Sequence, residues 1–181
     1  GFGSDECKLK HRTMMNGAAR ASKRLRFAVF AGEDSDCTGR KKTQEGVCME
    51  IKEYREYKEE ELLSLYASVG WTAYTQHPET LRAGFANSLF TLGAYDGQTL
   101  LGIIRTVGDG HTIALIQDIL VFPEHQRKGI GSKLMRAVLE RFRNVRQIEL
   151  ATDDIPANIA FYESLGFRKM SEIGCCAFIR L

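Results

Sequence analysis

The sequence predicts a three-layer domain of the α/β or α+β class, in which helices pack against a central sheet. Three observations support this prediction. Two amphipathic helical segments come early, three strand-like segments separated by glycine turns follow, and the last third alternates strand with helix. A chain of 181 residues is long enough for one domain with a sizeable core.

The first predicted elements are one strand and two helices. The segment IKEY, residues 51–54, has the composition of a short strand. Residues 59–67 have a helical pattern that stops near Gly70. Its apolar side holds Leu62, Leu63 and Tyr66. Pro78 suits the first turn of a second helix. The apolar positions of this second helix are Leu81, Phe85 and Leu89.

Two tight turns join the three strands of a predicted meander. SLFTLGAY (88–95) meets QTLLGIIRTV (98–107) through Asp96-Gly97, a dipeptide typical of two-residue hairpins. The sequence Gly108-Asp109-Gly110 then turns the chain into HTIALIQDILVF (111–122). Pro123 is expected to end that strand.

The last third alternates strand with helix. A helix is predicted at about residues 131–142, a strand at RQIELAT (146–152) and a short helix at residues 156–166. Pro156 opens the short helix, and Gly166 ends it in the usual left-handed position. The segments FRKM (167–170) and CCAFIRL (175–181) are predicted as final strands. The inward positions of the longer helix are Ile130, Leu134, Ala137 and Val138.

Charge divides the chain into two unequal parts. Residues 1–48 carry 10 Lys or Arg and 6 Asp or Glu, net +4, and the remainder carries 15 and 17, net −2. The first part shows no sustained period, so we predict a basic, flexible leader that is an upstream extension or a fusion. A folded domain is then expected at residues 49–181. The alternative is a functional arm with weak affinity for nucleic acid.

Composition argues against several other classes of protein. No apolar run approaches the ~20 residues of a membrane-spanning helix, and the run FAVFA does not make a signal peptide. We therefore expect a cytoplasmic protein without a membrane partner. Five cysteines in a chain of this length do not suggest a disulfide framework. No C-x-x-C or H-x-x-x-H spacing occurs, so no metal site is expected.

The loop QRKGIG, residues 126–131, joins an apolar strand to an amphipathic helix. Backbone N–H groups at the start of a helix lack partners and lie at the positive end of its dipole, which suits phosphate groups. Gly129 and Gly131 let a ligand approach the backbone, and Arg127 and Lys128 add positive charge. The loop lacks both the Walker pattern and the third glycine of the dinucleotide fingerprint. From these residues alone, it is either an anion site or a plain strand–helix turn.

Two motifs in this order resemble the GNAT superfamily of N-acetyltransferases, and the resemblance covers residues 49–181. VFPEHQRKGIGSKL resembles the superfamily's acetyl-CoA signature Q/R-x-x-G-x-G, and the later NIAFYESLGF resembles its second motif. The resemblance implies a mixed, mostly antiparallel sheet flanked by helices. It also implies acetyl-CoA as co-substrate.

The resemblance further implies which residues bind acetyl-CoA. The pantetheine arm is expected along Ile119, Leu120 and Val121, on a strand that splays from its neighbour in the superfamily, often at a bulge. Asn158 is expected to hydrogen-bond the pantetheine amides. Tyr162 shares its helical face and is expected to protonate the departing thiolate. The pyrophosphate is expected on the loop made by Gln126, Arg127, Lys128, Gly129, Ile130, Gly131 and Ser132.

The resemblance leaves the general base unassigned. Some relatives carry a carboxylate at the position of Leu115, which is apolar here. Asp118 is the only ionisable residue in IALIQDILV, and it is either the base or a structural residue. Trp71 and Tyr74 either wall the acceptor pocket, as that region does in the superfamily, or pack between helix and sheet.

We therefore predict an N-acetyltransferase that moves an acetyl group from acetyl-CoA to a primary amine by direct attack in a ternary complex. Holding both reactants together removes an entropic barrier of up to ~7–11 kcal/mol. The acceptor is a small molecule or a protein amine, and the net charge of −2 mildly favours a cationic one. The alternative is a non-catalytic CoA-binding sensor or regulatory domain. A homodimer through the last strands is also expected, and a nucleic acid partner is not.

Overall fold

A computed structural model of the chain describes residues 49–180. The described residues 49–167 form one compact unit, and residues 168–180 belong to a second. The leader predicted at residues 1–48 lies outside the described residues.

Five strands form one sheet, in the order β1-β2-β3-β4-β5. The first four pair antiparallel, and β5 pairs parallel with β4. The sheet is therefore mixed and mostly antiparallel, which confirms the predicted class. Asp96 pairs with Thr99 across the first hairpin, and Gly97 has a φ of 59° there, which suits glycine in a two-residue turn. The strands are β1 (Met49–Glu53), β2 (Phe90–Asp96), β3 (Thr99–Gly108), β4 (Ile113–Val121) and β5 (Gln147–Leu150).

The described residues contain five α-helices. These are α1 (Glu59–Ser68), α2 (Thr72–Thr75), α3 (Pro78–Ala86), α4 (Ile130–Arg141) and α5 (Pro156–Glu163). Four were predicted, and α2 was missed because its single turn is too short to show a period. Helix α4 buries Ile130, Leu134 and Val138 as predicted. It also buries Met135, whereas Ala137 is only partly buried.

The sheet has a hydrophobic cluster on each face. Adjacent residues of a strand point to opposite faces, and Ile103 and Ile104 of β3 are both fully buried, in different clusters. Ile104 belongs to the cluster that contains Leu134 of α4, and Ile103 to the one that contains Leu62 of α1. Burial on both faces accounts for the three layers.

The two strands predicted at the end of the chain are absent from the described residues. Met170–Ile173 is one turn of 3-10 helix, followed by Gly174 with a φ of 75°. Residues 175–180 have no regular secondary structure. An apolar, β-branched composition makes a strand only where a neighbouring strand supplies hydrogen-bond partners. The prediction of strands at FRKM and CCAFIRL was therefore wrong over these residues.

Strand β4 contains a β-bulge at Gln117. Arg105 of β3 pairs with Asp118, but the next residue, Thr106, pairs with Ile116. Gln117 is therefore an extra residue without an opposite partner on β3. A bulge bends its strand and changes the direction of the side chain at that point. The bulge therefore determines the direction of the Gln117 side chain.

Candidate active site

A cleft opens where β4 separates from β5. Their parallel pairing ends at Ile116 and Leu150, although β4 continues to Val121. The cleft has a volume of about 580 Å³. One wall comes from the second half of β4, and the opposite wall comes from the segment after β5 and from α5. The predicted site residues that line it are Trp71, Ile119, Leu120, Val121, Gln126, Asn158 and Tyr162.

Helix α5 supplies two polar side chains to this cleft. Asn158 and Tyr162 are four residues apart and therefore share a helical face. The Asn158 Nδ2 group donates a hydrogen bond to Thr152 Oγ1 at 2.9 Å. Burial raises the pKa of Tyr162, and a hydrogen bond with Thr152 opposes that rise without cancelling it. The Tyr162 hydroxyl therefore keeps its proton at neutral pH and can act as a donor.

The loop before α4 has a left-handed backbone at two points. Arg127 has a φ of 62°, and Gly129 has a φ of 81°. A Cβ on Gly129 would meet no atom within 4 Å, so glycine is favoured there by conformation and not by lack of space. Gln126 anchors the start of the loop, because its Nε2 group donates to the Val121 carbonyl at 3.0 Å.

The start of α4 presents unpaired backbone donors. The first helical hydrogen bond runs from the Lys133 N–H to the Gly129 carbonyl at 3.1 Å. Within the described part of the chain, the N–H groups of Ile130, Gly131 and Ser132 have no backbone acceptor. These donors and the exposed side chains of residues 127 and 128 make the start of α4 suitable for an anion. None of residues 127–132 lines the cleft itself.

A second cleft, of about 320 Å³, is lined by residues of α2, α3 and the sheet. Trp71 and Tyr74 stack with 5.7 Å between ring centroids, but Trp71 lines the first cleft and Tyr74 lines the second. Among the described residues, Gln117 alone lines both clefts. The sequence did not single out Gln117, because its position follows from the bulge in β4 and no local pattern marks a bulge there.

Asp118 lies in a buried ion pair and lines neither cleft. Its Oδ2 atom accepts hydrogen bonds from Arg105 Nε at 2.5 Å and from the Tyr66 hydroxyl at 2.7 Å. Its Oδ1 atom has no hydrogen-bond partner among residues 49–180. Burial alone would lower the pKa of Arg105, but attraction to Asp118 raises it overall. Burial raises the pKa of Tyr66, and the nearby Asp118 carboxylate raises it further.

These contacts favour the structural alternative for Asp118. A general base must come within hydrogen-bond reach of the proton that it removes, directly or through one water. The side chain of Asp118 is 0% exposed, and its carboxylate is engaged by two buried donors.

Residues 49–180 contain neither a cluster of metal ligands nor a membrane-spanning helix. No group of three or more His, Cys, Asp or Glu side chains there is arranged to hold a metal ion. None of the helices in that range is long and apolar enough to cross a membrane.

Comparison with known sequences gives consistent matches. The family model described as the acetyltransferase (GNAT) family matches residues 52–167. A ycf52-like uncharacterized N-acetyltransferase of Prochlorococcus marinus is 31% identical over 125 residues, which cover 65% of this chain and 67% of that protein. The ycf52 uncharacterized N-acetyltransferase of Gracilaria tenuistipitata is 30% identical over 59% of this chain and 60% of its own length. This chain thus spans about two thirds or less of these relatives.

Solved structures share the fold. A GNAT-family acetyltransferase of Streptococcus pneumoniae is 39% identical, with a TM-score of 0.68 over 74% of this chain and 97% of that chain. An N-acetyltransferase of Thermoplasma acidophilum, solved in complex with coenzyme A, is 19% identical, with a TM-score of 0.56. This match covers 66% of the present chain and 89% of the other, and it shows a common fold only.

Proposed function

This chain belongs to the GNAT family of acetyltransferases, and we propose that it moves an acetyl group from acetyl-CoA to a primary amine. The cleft between β4 and β5 is the observation that carries the proposal. It combines a stretch of β4 that β5 does not pair with, the start of a glycine-containing loop, and two polar side chains from α5. The pantetheine arm of acetyl-CoA is extended, contains amides and leads to phosphates, so its groups match the strand, the side chains and the loop of this cleft.

The residues around the cleft suit acetyl-CoA. Beyond Ile116, β4 has no strand partner on the β5 side among residues 49–180, so backbone groups of Ile119 and Leu120 are available to the pantetheine amides, as an added strand would use them. The Val121 carbonyl beside them already accepts a hydrogen bond from Gln126. Asn158 offers a further amide to the same arm. The pyrophosphate is assigned to the N–H groups at the start of α4, with Arg127 and Lys128 beside it.

The chemistry needs a donor for the oxyanion and a proton for the leaving thiolate. The amine attacks the thioester carbonyl carbon, the C–S bond breaks, and the sulfur leaves as a thiolate. We assign the oxyanion donor to the backbone at the Gln117 bulge, where ladder pairing is interrupted. We assign the proton donor to Tyr162, whose raised pKa keeps its hydroxyl protonated.

The proton released by the amine requires an acceptor other than Asp118. In the described lining of the two clefts, the side chains that can accept it are Asp153 and His77. We assign Asp118 to positioning β4, because Arg105 and Tyr66 hold its carboxylate in the interior.

Calorimetry with the full chain and acetyl-CoA tests the binding half of this proposal. We expect micromolar affinity, or about −8 kcal/mol. Thiol release with a panel of primary amines tests the transfer half. Binding without thiol release across the panel would favour the sensor alternative, and absence of binding would overturn the assignment of the cleft.

Four expectations from the sequence remain proposals. They are the domain limits at residues 49–181, the flexible leader at residues 1–48, a cytoplasmic location and a homodimer. Limited proteolysis would test the leader, because a flexible segment is cleaved before a folded domain. Light scattering on the full chain would distinguish monomer from dimer.

A further inference from the structure

The second cleft is mostly apolar and contains no carboxylate among the described residues of its lining. Tyr74 of α2 and Leu81 of α3 contribute apolar surface, and Gln117 supplies an uncharged amide where this cleft meets the first. The cationic side chain of the lining is Arg105. An acceptor that reaches the thioester through the second cleft therefore contacts no carboxylate in the described lining.

Arg105 is the member of the buried ion pair that lines this cleft, and its side chain is 7% exposed. Arg105 is in the lining, whereas its partner Asp118 is absent from both linings and has a fully buried side chain. The Arg105 Nη1 atom is also held by the Gly84 carbonyl and Ser88 Oγ, each at 3.3 Å. The guanidinium therefore has a fixed place on the wall, and the anion that balances it is out of reach of a ligand.

A second ammonium group on an acceptor would be unfavourable in such a cleft. Moving a charge out of water is costly unless a counter-ion and hydrogen bonds replace the solvent. Besides the buried Asp118, a carboxylate beside the lining is that of Glu79, which lies 3.7 Å from His77 with its side chain 74% exposed. A charge in that position is screened by water and salt and cannot compensate an ammonium inside the cleft.

We propose that this cleft selects acceptors whose only positive charge is the reacting amine and whose adjoining part is apolar. The inference rests on the proposed N-acetyltransferase function and deepens it by naming the class of acceptor. Gln117 orients the amine at the junction of the two clefts, and Tyr74 and Leu81 pack against the apolar remainder. The expectation that a net charge of −2 favours cationic amines is replaced here by the local composition of the lining.

Two acceptors of equal length test the charge selection in the full chain. They are n-hexylamine and 1,6-diaminohexane, which differ by a second ammonium group. Thiol release at saturating acetyl-CoA gives kcat/KM for each. We expect the monoamine to exceed the diamine at least tenfold, although the diamine has twice as many reactive groups. A diamine that reacts equally well or better would overturn the inference, while its turnover would support the transferase function.

A carboxylate placed in the lining should reverse this preference. Thr80 is an exposed residue of α3 that lines the second cleft, so Thr80→Glu adds an anion without disturbing the core. We expect the diamine-to-monoamine ratio of kcat/KM to rise at least tenfold. Gln76→Glu is the matched control, because Gln76 is exposed and close in sequence but outside the lining.

The controls separate failure of the inference from failure of the function. An equal rise in the ratio for Gln76→Glu would show that general surface charge is responsible and would overturn the inference. An unchanged ratio in a folded Thr80→Glu protein, judged by its circular dichroism, would also overturn it. If neither amine nor any other primary amine released thiol, the transferase proposal would fall and the inference with it.

Discussion

Arg105 and Asp118 form an ion pair in the protein interior, with 2.5 Å between the guanidinium Nε and the carboxylate Oδ2. The two residues face each other on β3 and β4 immediately before the register shift that inserts Gln117. Tyr66 of α1 donates to the same carboxylate oxygen. The pair therefore lies beside the one described residue that lines both clefts.

Removing the carboxylate should destabilise the protein strongly. Asp118→Ala leaves the Arg105 charge buried without its partner, and this typically costs about 3–5 kcal/mol. We expect a corresponding decrease in the free energy of unfolding, measured by urea denaturation. Tyr66→Phe loses a single hydrogen bond to a charged group and should cost about 1.5–3 kcal/mol.

A double variant separates loss of the pair from exposure of one unpaired charge. Arg105→Met combined with Asp118→Leu removes both charges and should cost less than Asp118→Ala alone. If Asp118→Ala unfolded at the same urea concentration as the unaltered protein, the ion pair would have no structural role. The assignment of Asp118 as a positioning residue would then be wrong.

Substitution of Gln117 should affect the acceptor more than acetyl-CoA. Gln117→Ala removes the amide shared by the two clefts, so we expect KM for the amine to rise about fivefold to tenfold, as for one lost hydrogen bond. Gln126→Ala is the matched control, because Gln126 lines only the first cleft and should affect KM for acetyl-CoA instead. Identical KM effects of the two variants would contradict this division of roles.

Loss of the Tyr162 hydroxyl should reduce turnover far more than binding. We expect Tyr162→Phe to lower kcat about 100-fold, the lower end of the range for general acid–base catalysis, with little change in acetyl-CoA affinity. Tyr57→Phe is a suitable control, because the Tyr57 hydroxyl is buried without a hydrogen-bond partner among the described residues and lies outside both linings. An unaltered kcat would show that water protonates the thiolate.

The pH dependence of this effect follows from the direction of the pKa shift. Burial raises the pKa of Tyr162 above its ordinary value of about 10, so the hydroxyl stays protonated throughout the neutral range. The ratio of kcat between the unaltered protein and Tyr162→Phe should therefore be constant from about pH 6 to about pH 9. A ratio that fell across this range would indicate that the pKa is lowered.

A carboxylate at Gly129 should abolish binding of acetyl-CoA. Gly129→Glu introduces negative charge at the start of α4 and a side chain at a left-handed position, with a φ of 81°. Gly166→Glu matches it closely, because Gly166 has a φ of 89° and its added Cβ would also meet no atom within 4 Å. Calorimetry should show loss of binding only for Gly129→Glu. Equal affinities for both variants would remove the loop from the site.

The elements that the sequence predicted correctly are those encoded by neighbouring residues. Helix α4 follows from a 3.6-residue period, and the β2–β3 hairpin follows from Asp96-Gly97 and alternating strand patterns. The loop at residues 126–131 is recognisable because its glycines and basic residues are adjacent in the chain. No local pattern of this kind encodes the single turn of α2, which was missed, or decides whether strands form after residue 167, where they were wrongly predicted. One is too short to show a period, and the others depend on a pairing partner.

The sequence by itself determined the order of helices and strands, the class of fold and the resemblance to acetyltransferases, because periodicity, turn residues and motifs are local. The resemblance implied a strand that splays, often at a bulge, but only the tertiary structure decided that the bulge falls at Gln117, that β4 separates from β5 after Ile116, and that Asp118 is buried. Tyr66 and Asp118 are 52 residues apart in the chain. The environment of a carboxylate depends on such distant partners. Tertiary packing brings them together, and no local sequence pattern can identify them.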